Sequence, residues 1–165
     1  MSHVFEVRAN WEGGLSGHGQ LTSPALEIPF SASKSLKGAG IGANPEELLL
    51  GAAAACFLIT LGTVFSLRKI PIGKLSIQSE IEVATENGLS VRRIRHVPSV
   101  EDSPASDAEI HSCVRRAEEF CLISKALKGN VEVAVQYPVK SYRSKVDEVS
   151  GVCAEGSIES NLRGD

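Results

Sequence analysis

The amino-acid sequence predicts an α+β fold in which antiparallel sheets pack around one long, central, apolar helix. Residues 48–67 form a run of 20 residues without a charged side chain, as expected of a helix buried on most of its surface. Residues 74–84 alternate between apolar and polar side chains, as a half-buried strand does. Strand and helix patterns come in blocks rather than in strict βαβ order, which favours α+β over a parallel sheet.

The N-terminal part of the chain predicts three short strands and a loop. Residues 5–11 alternate between apolar and polar side chains, and residues 20–22 and 25–30 read as two further strands, split at Pro24. Residues 31–43 are mostly small and include three glycines, which indicates a loop that leads into the central helix.

The start of the central helix is marked by its capping residues. Asn44 is a good N-cap, and Pro45 then occupies the first helical position, where a missing N–H costs nothing. Glu46 and Glu47 follow in the first turn, where their charge suits the helix dipole. The sequence therefore predicts a helix from Pro45 to about Leu67.

The second half of the chain predicts a hairpin, two helices and a last strand. The strand over 74–84 is followed by a Glu-Asn-Gly turn and a partner strand over 89–97, whose irregular spacing of apolar residues indicates a bulge. Residues 108–120 have helical periodicity, residues 121–127 predict a second, short helix, and valines alternate along 131–137.

Length and composition indicate one soluble domain. The chain has 165 residues, of which 42% are hydrophobic and 22% charged, as is usual for a globular domain. We assign residues 1–142 to this domain and expect the polar tail 143–165 to be poorly ordered. The net charge of −3 without a basic cluster argues against nucleic-acid binding.

The cysteine content and the N-terminus indicate a cytoplasmic protein. Four cysteines are too few for a disulfide scaffold, and no basic segment followed by an apolar run opens the chain. An alternative is a membrane anchor, because residues 48–67 have the length of a membrane span. Its alanines, glycines, threonines and serine make this run only moderately apolar, so we favour a core helix and no membrane.

Two of the cysteines are candidates for thiol chemistry. Cys56 lies within the apolar helix, where a cysteine is usually a small core residue, and Glu46 lies nearly three turns before it. Cys121 begins a short helix one turn before Lys125, a position that lowers a thiol pKa and favours reactivity. We interpret Cys113 and Cys153 as structural or incidental.

Two other kinds of site are disfavoured. The glycines at 38, 40 and 42 do not have the spacing of a dinucleotide-binding loop. A zinc site would need ligands at short paired spacings, which the available residues do not offer: His96, His111, Cys113 and Cys121. We therefore expect no metal and no cofactor.

The segments around Cys56 and Cys121 resemble the OsmC/Ohr family of osmotically induced and organic hydroperoxide resistance proteins. Residues 44–57 look like the family's central-helix motif, and 117–127 are similar to its second cysteine motif. The resemblance covers roughly residues 4–142. It implies an OsmC/Ohr-like intertwined homodimer with two sites at the interface.

The resemblance also implies a thiol peroxidase that reduces organic hydroperoxides and is regenerated by an external dithiol. Cys56 would be the peroxidatic cysteine, Cys121 the resolving cysteine and Glu46 the glutamate that follows the family's Asn-Pro pair. The implied cycle runs through a Cys56 sulfenic acid and a Cys56–Cys121 disulfide, and it requires no metal or haem.

The sequence departs from the family pattern at two places. Active family members have an arginine before the central helix, whereas this chain has none between Arg8 and Arg68. We expect Lys34 or Lys37 to bind the peroxide instead, with His18 as a third possibility. Leu122 stands where the second motif usually has proline. The alternative is a non-enzymatic member of the fold, a small-ligand-binding or redox-sensing dimer.

Overall fold

The structure, a computed structural model, describes residues 1–86 and 88–136. The predicted tail 143–165 lies outside these residues, and the assignment of 1–142 to one domain stays a prediction. The described elements form two three-stranded sheets and three α-helices. In chain order they are β1 (Arg8–Glu12), β2 (His18–Ser23), β3 (Leu26–Phe30), a 3-10 turn (Lys34–Leu36), α1 (Pro45–Leu67), β4 (Lys74–Ala84), β5 (Ser90–Glu101), α2 (Asp107–Phe120), α3 (Leu122–Leu127) and β6 (Glu132–Val135).

The N-terminal sheet, formed by β1, β2 and β3, is antiparallel throughout. β1 begins at Arg8 rather than at residue 5, although the alternating pattern extends further back. The reason is the length of β2: Arg8 already pairs with Thr22, and Ser23 ends β2 at the turn into β3. In this register Val7 lies opposite Ser23, the last residue of β2, and the residues before Val7 have no strand residue opposite them.

The central helix α1 begins as its sequence predicts. The Asn44 side chain accepts a hydrogen bond from the Glu47 N–H at 2.8 Å, and the Glu47 carboxylate accepts one from the Asn44 N–H at 3.0 Å. This capping box satisfies two of the helix's free N–H groups, with Pro45 in the first turn. By length and composition alone α1 could cross a bilayer, a test that the core helix of a globular protein also passes.

The C-terminal sheet, formed by β4, β5 and β6, supports α1 from one side. The β4–β5 register shifts between Glu82 and Val83, where Arg92 is the extra residue, so the predicted bulge is present. β5 continues to Glu101 through Pro98, which is tolerated because β6 pairs only with residues 93–96. β6 lies parallel to β5, unlike the other strand pairs, because α2 and α3 form a crossover connection between them.

The core of the described chain lies between one face of α1, the C-terminal sheet and α2. Phe57, Leu61 and Phe65 of α1 are fully buried there. The opposite face of α1 is open to solvent, at positions 51, 52, 55, 59 and 63. Among the described residues, no strand of the N-terminal sheet packs extensively against the helices or the C-terminal sheet. One chain therefore leaves a large apolar surface uncovered, including Phe5, Trp11 and Ile59.

Candidate functional site

Cys56 lies in the middle of α1, at the edge of its buried face. Its neighbour Phe57 is fully buried, whereas Cys56 itself is only half-buried and packs against the core cluster that contains Cys121. A half-buried cysteine remains partly accessible to solvent. This is what a reactive cysteine needs and what a purely structural one does not.

Cys121 lies at the bend between α2 and α3. It has non-helical backbone angles, φ −57° and ψ 117°. Its N–H donates to the Ala117 carbonyl at 2.8 Å and so closes α2, and its own carbonyl accepts from the Lys125 N–H at 3.0 Å and so opens α3. The bend at this residue holds a fully buried thiol against α1.

The structure brings the thiols of Cys56 and Cys121 together, and both are free. Burial raises the pKa of the Cys56 thiol, but hydrogen bonds outweigh burial and the net pKa lies below its ordinary value. In decreasing order of effect, the donors are the Ile123 N–H, the Cys121 thiol, the Leu122 N–H and the Thr60 hydroxyl. These hydrogen bonds therefore favour the thiolate form of Cys56.

The N–H groups in the first turn of α3 lower the pKa of Cys56, whereas the sequence indicates that they act on Cys121. The pattern predicts that the N–H groups of this turn lower the pKa of Cys121. In the structure the Cys121 side chain accepts no capping hydrogen bond, and the N–H groups of Leu122 and Ile123 donate to Cys56 instead. The reason is the bend at Cys121, which points the free amides of the turn across to α1.

Glu46 does not approach Cys56 within one chain. It lies in the first turn of α1, about 15 Å of helix rise before Cys56. Its side chain is half-buried and forms no hydrogen bond or ion pair among the described residues. Any contact of Glu46 with the thiol pair would have to be made across a subunit interface.

The two candidate lysines also stay apart from Cys56 within the described chain. Lys34 and Lys37 are exposed and flank a short 3-10 turn, and Lys37 has left-handed backbone angles with φ 64°. The Lys34 side chain lies over Gly40, where a Cβ atom would come within 2.6 Å of its Cγ. Neither ammonium group contributes to the pKa of Cys56. His18, the third candidate, is exposed at the start of β2.

The sequence did not indicate the partner of Cys113. Cys113 is fully buried in α2, and Arg68, just after α1, donates to its sulfur at 3.6 Å and to Ser112 Oγ at 3.0 Å. Burial raises the pKa of Cys113, and the Arg68 guanidinium offsets only part of this effect. This guanidinium therefore serves a core thiol that is not prepared to ionise.

The residues weighed as zinc ligands do not form a metal centre in the described part of the chain, where no group of three or more potential ligands converges. His96 is instead a buried residue of β5. Its Nδ1 lies 2.7 Å from Ser79 Oγ, and its Nε2 has no hydrogen-bond partner among the described residues. Burial lowers the pKa of His96, so its neutral form is favoured.

Comparison with known proteins agrees with this fold. The profile of the family described as OsmC-like protein matches residues 38–136. The uncharacterized protein YmaD of Bacillus subtilis is 36% identical over 143 residues, which cover 84% of this chain and 95% of YmaD. An organic hydroperoxide resistance protein of Xanthomonas axonopodis pv. citri is 29% identical over 137 residues, or 80% of this chain and 93% of that protein.

Solved structures share the architecture. An organic hydroperoxide resistance protein OsmC from Legionella pneumophila superposes with a TM-score of 0.67 at 27% identity, over 82% of this chain and all of that one. OhrB of Bacillus subtilis gives a TM-score of 0.64 at 26% identity, over 80% of this chain and 97% of its own. The resemblance noted in the cysteine motifs is thereby confirmed: this chain belongs to the OsmC/Ohr family.

Proposed function

We propose that this protein is a thiol-dependent peroxidase that reduces organic hydroperoxides. Relatives named organic hydroperoxide resistance proteins support a role of the family in peroxide resistance. The observation that carries the proposal for this chain is the contact between Cys56, whose pKa is lowered, and the buried thiol of Cys121. A reactive thiol with a second thiol in reach can be oxidised and restored without a metal or cofactor.

The first step is attack of the Cys56 thiolate on the O–O bond of the hydroperoxide. The sulfur bonds to the terminal oxygen and is oxidised to sulfenic acid, while the other oxygen leaves with the bonding electrons and takes up a proton as the alcohol. The Leu122 and Ile123 N–H groups favour the thiolate before attack. Their role is to keep the nucleophile charged in an apolar setting.

The second and third steps restore the thiols. The Cys121 sulfur attacks the sulfenic acid sulfur, forms the Cys56–Cys121 disulfide and releases water. An external dithiol then reduces this disulfide by two thiol–disulfide exchanges and is itself oxidised to its disulfide. We place this chemistry in the cytoplasm, where such reductants keep thiols reduced.

The site is completed, in this proposal, by a second copy of the chain. The open face of α1 and the apolar residues of the N-terminal sheet give one copy an extensive uncovered surface, as expected of an interface. Closed two-fold dimers are the commonest assembly. Across such an interface Glu46 and either Lys34 or Lys37 of one copy would meet Cys56 of the other, with the lysine binding the peroxide.

Organic hydroperoxides are the substrates that this setting favours over hydrogen peroxide. Cys56 packs against an apolar cluster that includes Phe57 and Leu61, and exposed Ile59 and Leu122 lie on the same two helices as its donors. An alkyl group gains free energy by burial against such a surface, whereas hydrogen peroxide has no alkyl group to bury.

The second candidate function is a non-enzymatic redox-sensing dimer. One observation favours it: no charged side chain of the described residues contributes to the pKa of Cys56. A thiol without a cation at the reacting oxygen loses transition-state stabilisation of about 3 kcal/mol, roughly two decades in rate. Slow oxidation followed by disulfide formation would suit a sensor.

A turnover assay separates these candidates. Cumene hydroperoxide consumption with dithiothreitol as reductant is measured for the wild type, Cys56→Ser, Cys121→Ser and Cys113→Ala. We expect multiple turnovers in the wild type, none in Cys56→Ser, and near wild-type rates in Cys113→Ala because Cys113 lies outside the thiol pair. Wild-type protein that reacts once and is not recycled by the dithiol would support the sensor instead.

A further inference from the structure

The hydroxyl of Thr60 reaches two acceptors on the same residue. Thr60 Oγ1 donates to the Cys56 backbone carbonyl at 2.8 Å, one helical turn away. The same hydroxyl is also close enough to the Cys56 sulfur to lower the pKa of that thiol. Residues four apart on a helix share a face, so both contacts follow from the position of Thr60 relative to Cys56.

We propose that Thr60 is a switchable donor for Cys56: its one hydroxyl proton is directed to the Cys56 carbonyl while Cys56 is a thiol, and to the Cys56 sulfur once Cys56 is a thiolate. A hydroxyl has one proton and two lone pairs, so it donates to one acceptor at a time. In the thiol state Oγ1 can accept the S–H of Cys56 while it donates to the carbonyl.

The switch costs little because the carbonyl keeps another partner. Cys56 and Thr60 lie inside α1, where the Thr60 N–H already donates to the Cys56 carbonyl as part of the helix. Turning the hydroxyl proton to the sulfur therefore leaves no acceptor unsatisfied. A hydrogen bond to an ionised sulfur is stronger than one to a neutral carbonyl, so ionisation drives the rotation.

This inference rests on the proposed role of Cys56 as the nucleophile and adds a positioning residue to it. Groups that face Cys56 come from α1, from the α2–α3 junction and from α3. Cys121 at that junction is the titratable one among the groups that shift the Cys56 pKa, and no charged side chain of the described residues is among them. Among the described residues of one chain, only neutral hydrogen-bond donors lower the pKa of Cys56. The Thr60 hydroxyl is one of these donors.

The chain provides a matched control for Thr60. Thr63 also lies in α1, and its Oγ1 donates to the Ile59 carbonyl at 2.8 Å, on the exposed side of the helix. Thr63→Val therefore removes the same kind of side-chain-to-backbone bond at a position without a hydrogen bond to the thiol in its own chain. Because position 63 lies on the proposed dimer interface, its profile is compared only after light scattering shows the mass of the wild type. Thr60→Val removes the hydroxyl at nearly constant shape, and Thr60→Ser retains it.

The test is the pH profile of Cys56 alkylation by iodoacetamide, read by mass spectrometry on the tryptic peptide 38–68, which contains no other cysteine. We expect Thr60→Val to raise the apparent pKa of Cys56 by about one unit, a roughly tenfold loss of thiolate at a fixed pH below the pKa. Thr60→Ser and Thr63→Val should keep the wild-type profile.

An unchanged profile in Thr60→Val would overturn the inference, as would equal shifts in Thr60→Val and Thr63→Val or in Thr60→Val and Thr60→Ser. If Thr60→Val does not fold, the pair Thr60→Ala and Thr60→Ser supplies the same comparison of a side chain without and with a hydroxyl. Alkylation requires no peroxide. A protein with the expected shifts but no peroxide turnover would therefore refute the peroxidase and leave the role of Thr60 standing.

Discussion

The thiols of Cys56 and Cys121 lie within hydrogen-bonding reach although 65 positions separate them in the sequence. The contact exists because α3 starts with a bend at Cys121 that turns the first amides of α3 towards α1. Cys56 thereby meets a thiol and two N–H groups from one short segment. The same bend supplies both the candidate resolving thiol and the donors that favour a Cys56 thiolate.

Leu122→Pro tests the contribution of one amide. Proline is tolerated at the first position of a helix, and ψ 117° at Cys121 suits the residue before a proline. The substitution removes the Leu122 N–H that donates to Cys56. We expect the pKa of Cys56 to rise, measured as a shift of the alkylation profile of peptide 38–68 to higher pH.

Leu122→Ala is the control for this prediction, because it retains the N–H and shortens a side chain that is already exposed. Its alkylation profile should match the wild type. If Leu122→Pro and Leu122→Ala have the same profile while both remain folded, the amide does not act on Cys56.

The open face of α1 predicts a homodimer. Light scattering at micromolar concentration should give about twice the chain mass for the wild type. Ile59 is exposed on this face, so Ile59→Asp would bury a charge in the interface and should shift the protein towards the monomer. A monomeric wild type would contradict both the dimer and the shared site.

Because the family's arginine is missing, we predict that Lys37 or Lys34 of the partner copy stabilises the Cys56 thiolate. Each substitution to alanine should raise the pKa of Cys56 if its ammonium group faces the thiolate, because an opposite charge favours the ionised form. We expect the larger effect for Lys37, which Gly38 follows in the loop. The measurement is the alkylation profile of each variant.

The Ile59→Asp background decides from which copy the lysine comes. A lysine supplied by the partner has no effect on the Cys56 pKa once the dimer is disrupted, so Lys37→Ala should be silent there. No shift for either lysine in the intact dimer would show that neither replaces the arginine. That result would favour the redox sensor.

We predict that the buried His96 makes the protein less stable at acid pH. Burial lowers its pKa below the ordinary value of 6.5, so the unfolded chain binds a proton before the folded chain does. The contribution of His96 to stability is therefore full above about pH 6.5 and decreases as pH falls below it, by at most about 1.4 kcal/mol per pH unit.

Urea unfolding at pH 7.5 and pH 5.5 measures this effect. The free energy of unfolding of the wild type should fall more between the two pH values than that of His96→Gln, which keeps a polar group near Ser79 Oγ but cannot titrate. Equal changes in the two proteins would mean that His96 binds protons equally well in both states.

The sequence predicted those elements that local chemistry determines. The capping box at Asn44 and Glu47 defines the start of α1, and the irregular apolar spacing around Arg92 indicates the bulge. The local pattern places the start of β1 too early, because the start depends on the end of β2, a partner that a local pattern does not reveal. The parallel placement of β6 likewise depends on how α2 and α3 pack.

The sequence indicates the two cysteines of the candidate site, but it does not indicate the groups that donate hydrogen bonds to Cys56. Helix position pointed to Cys121 as the thiol beside the free amides, and only the bend between α2 and α3 shows that they serve Cys56. Thr60 carries no signal in a sequence, because a threonine inside an apolar helix usually bonds to its own backbone. Its proximity to the Cys56 sulfur becomes visible only in the folded structure.

Peptide mapping after a single oxidation tests the central claim most directly. Wild-type protein is treated with one equivalent of cumene hydroperoxide, blocked with iodoacetamide and digested with trypsin without reduction, which separates the four cysteines onto different peptides. We predict a disulfide between peptides 38–68 and 117–125, absent in Cys56→Ser. A disulfide from 38–68 to the Cys113 peptide 96–115, or unmodified Cys56 with the peroxide unconsumed, would contradict the account.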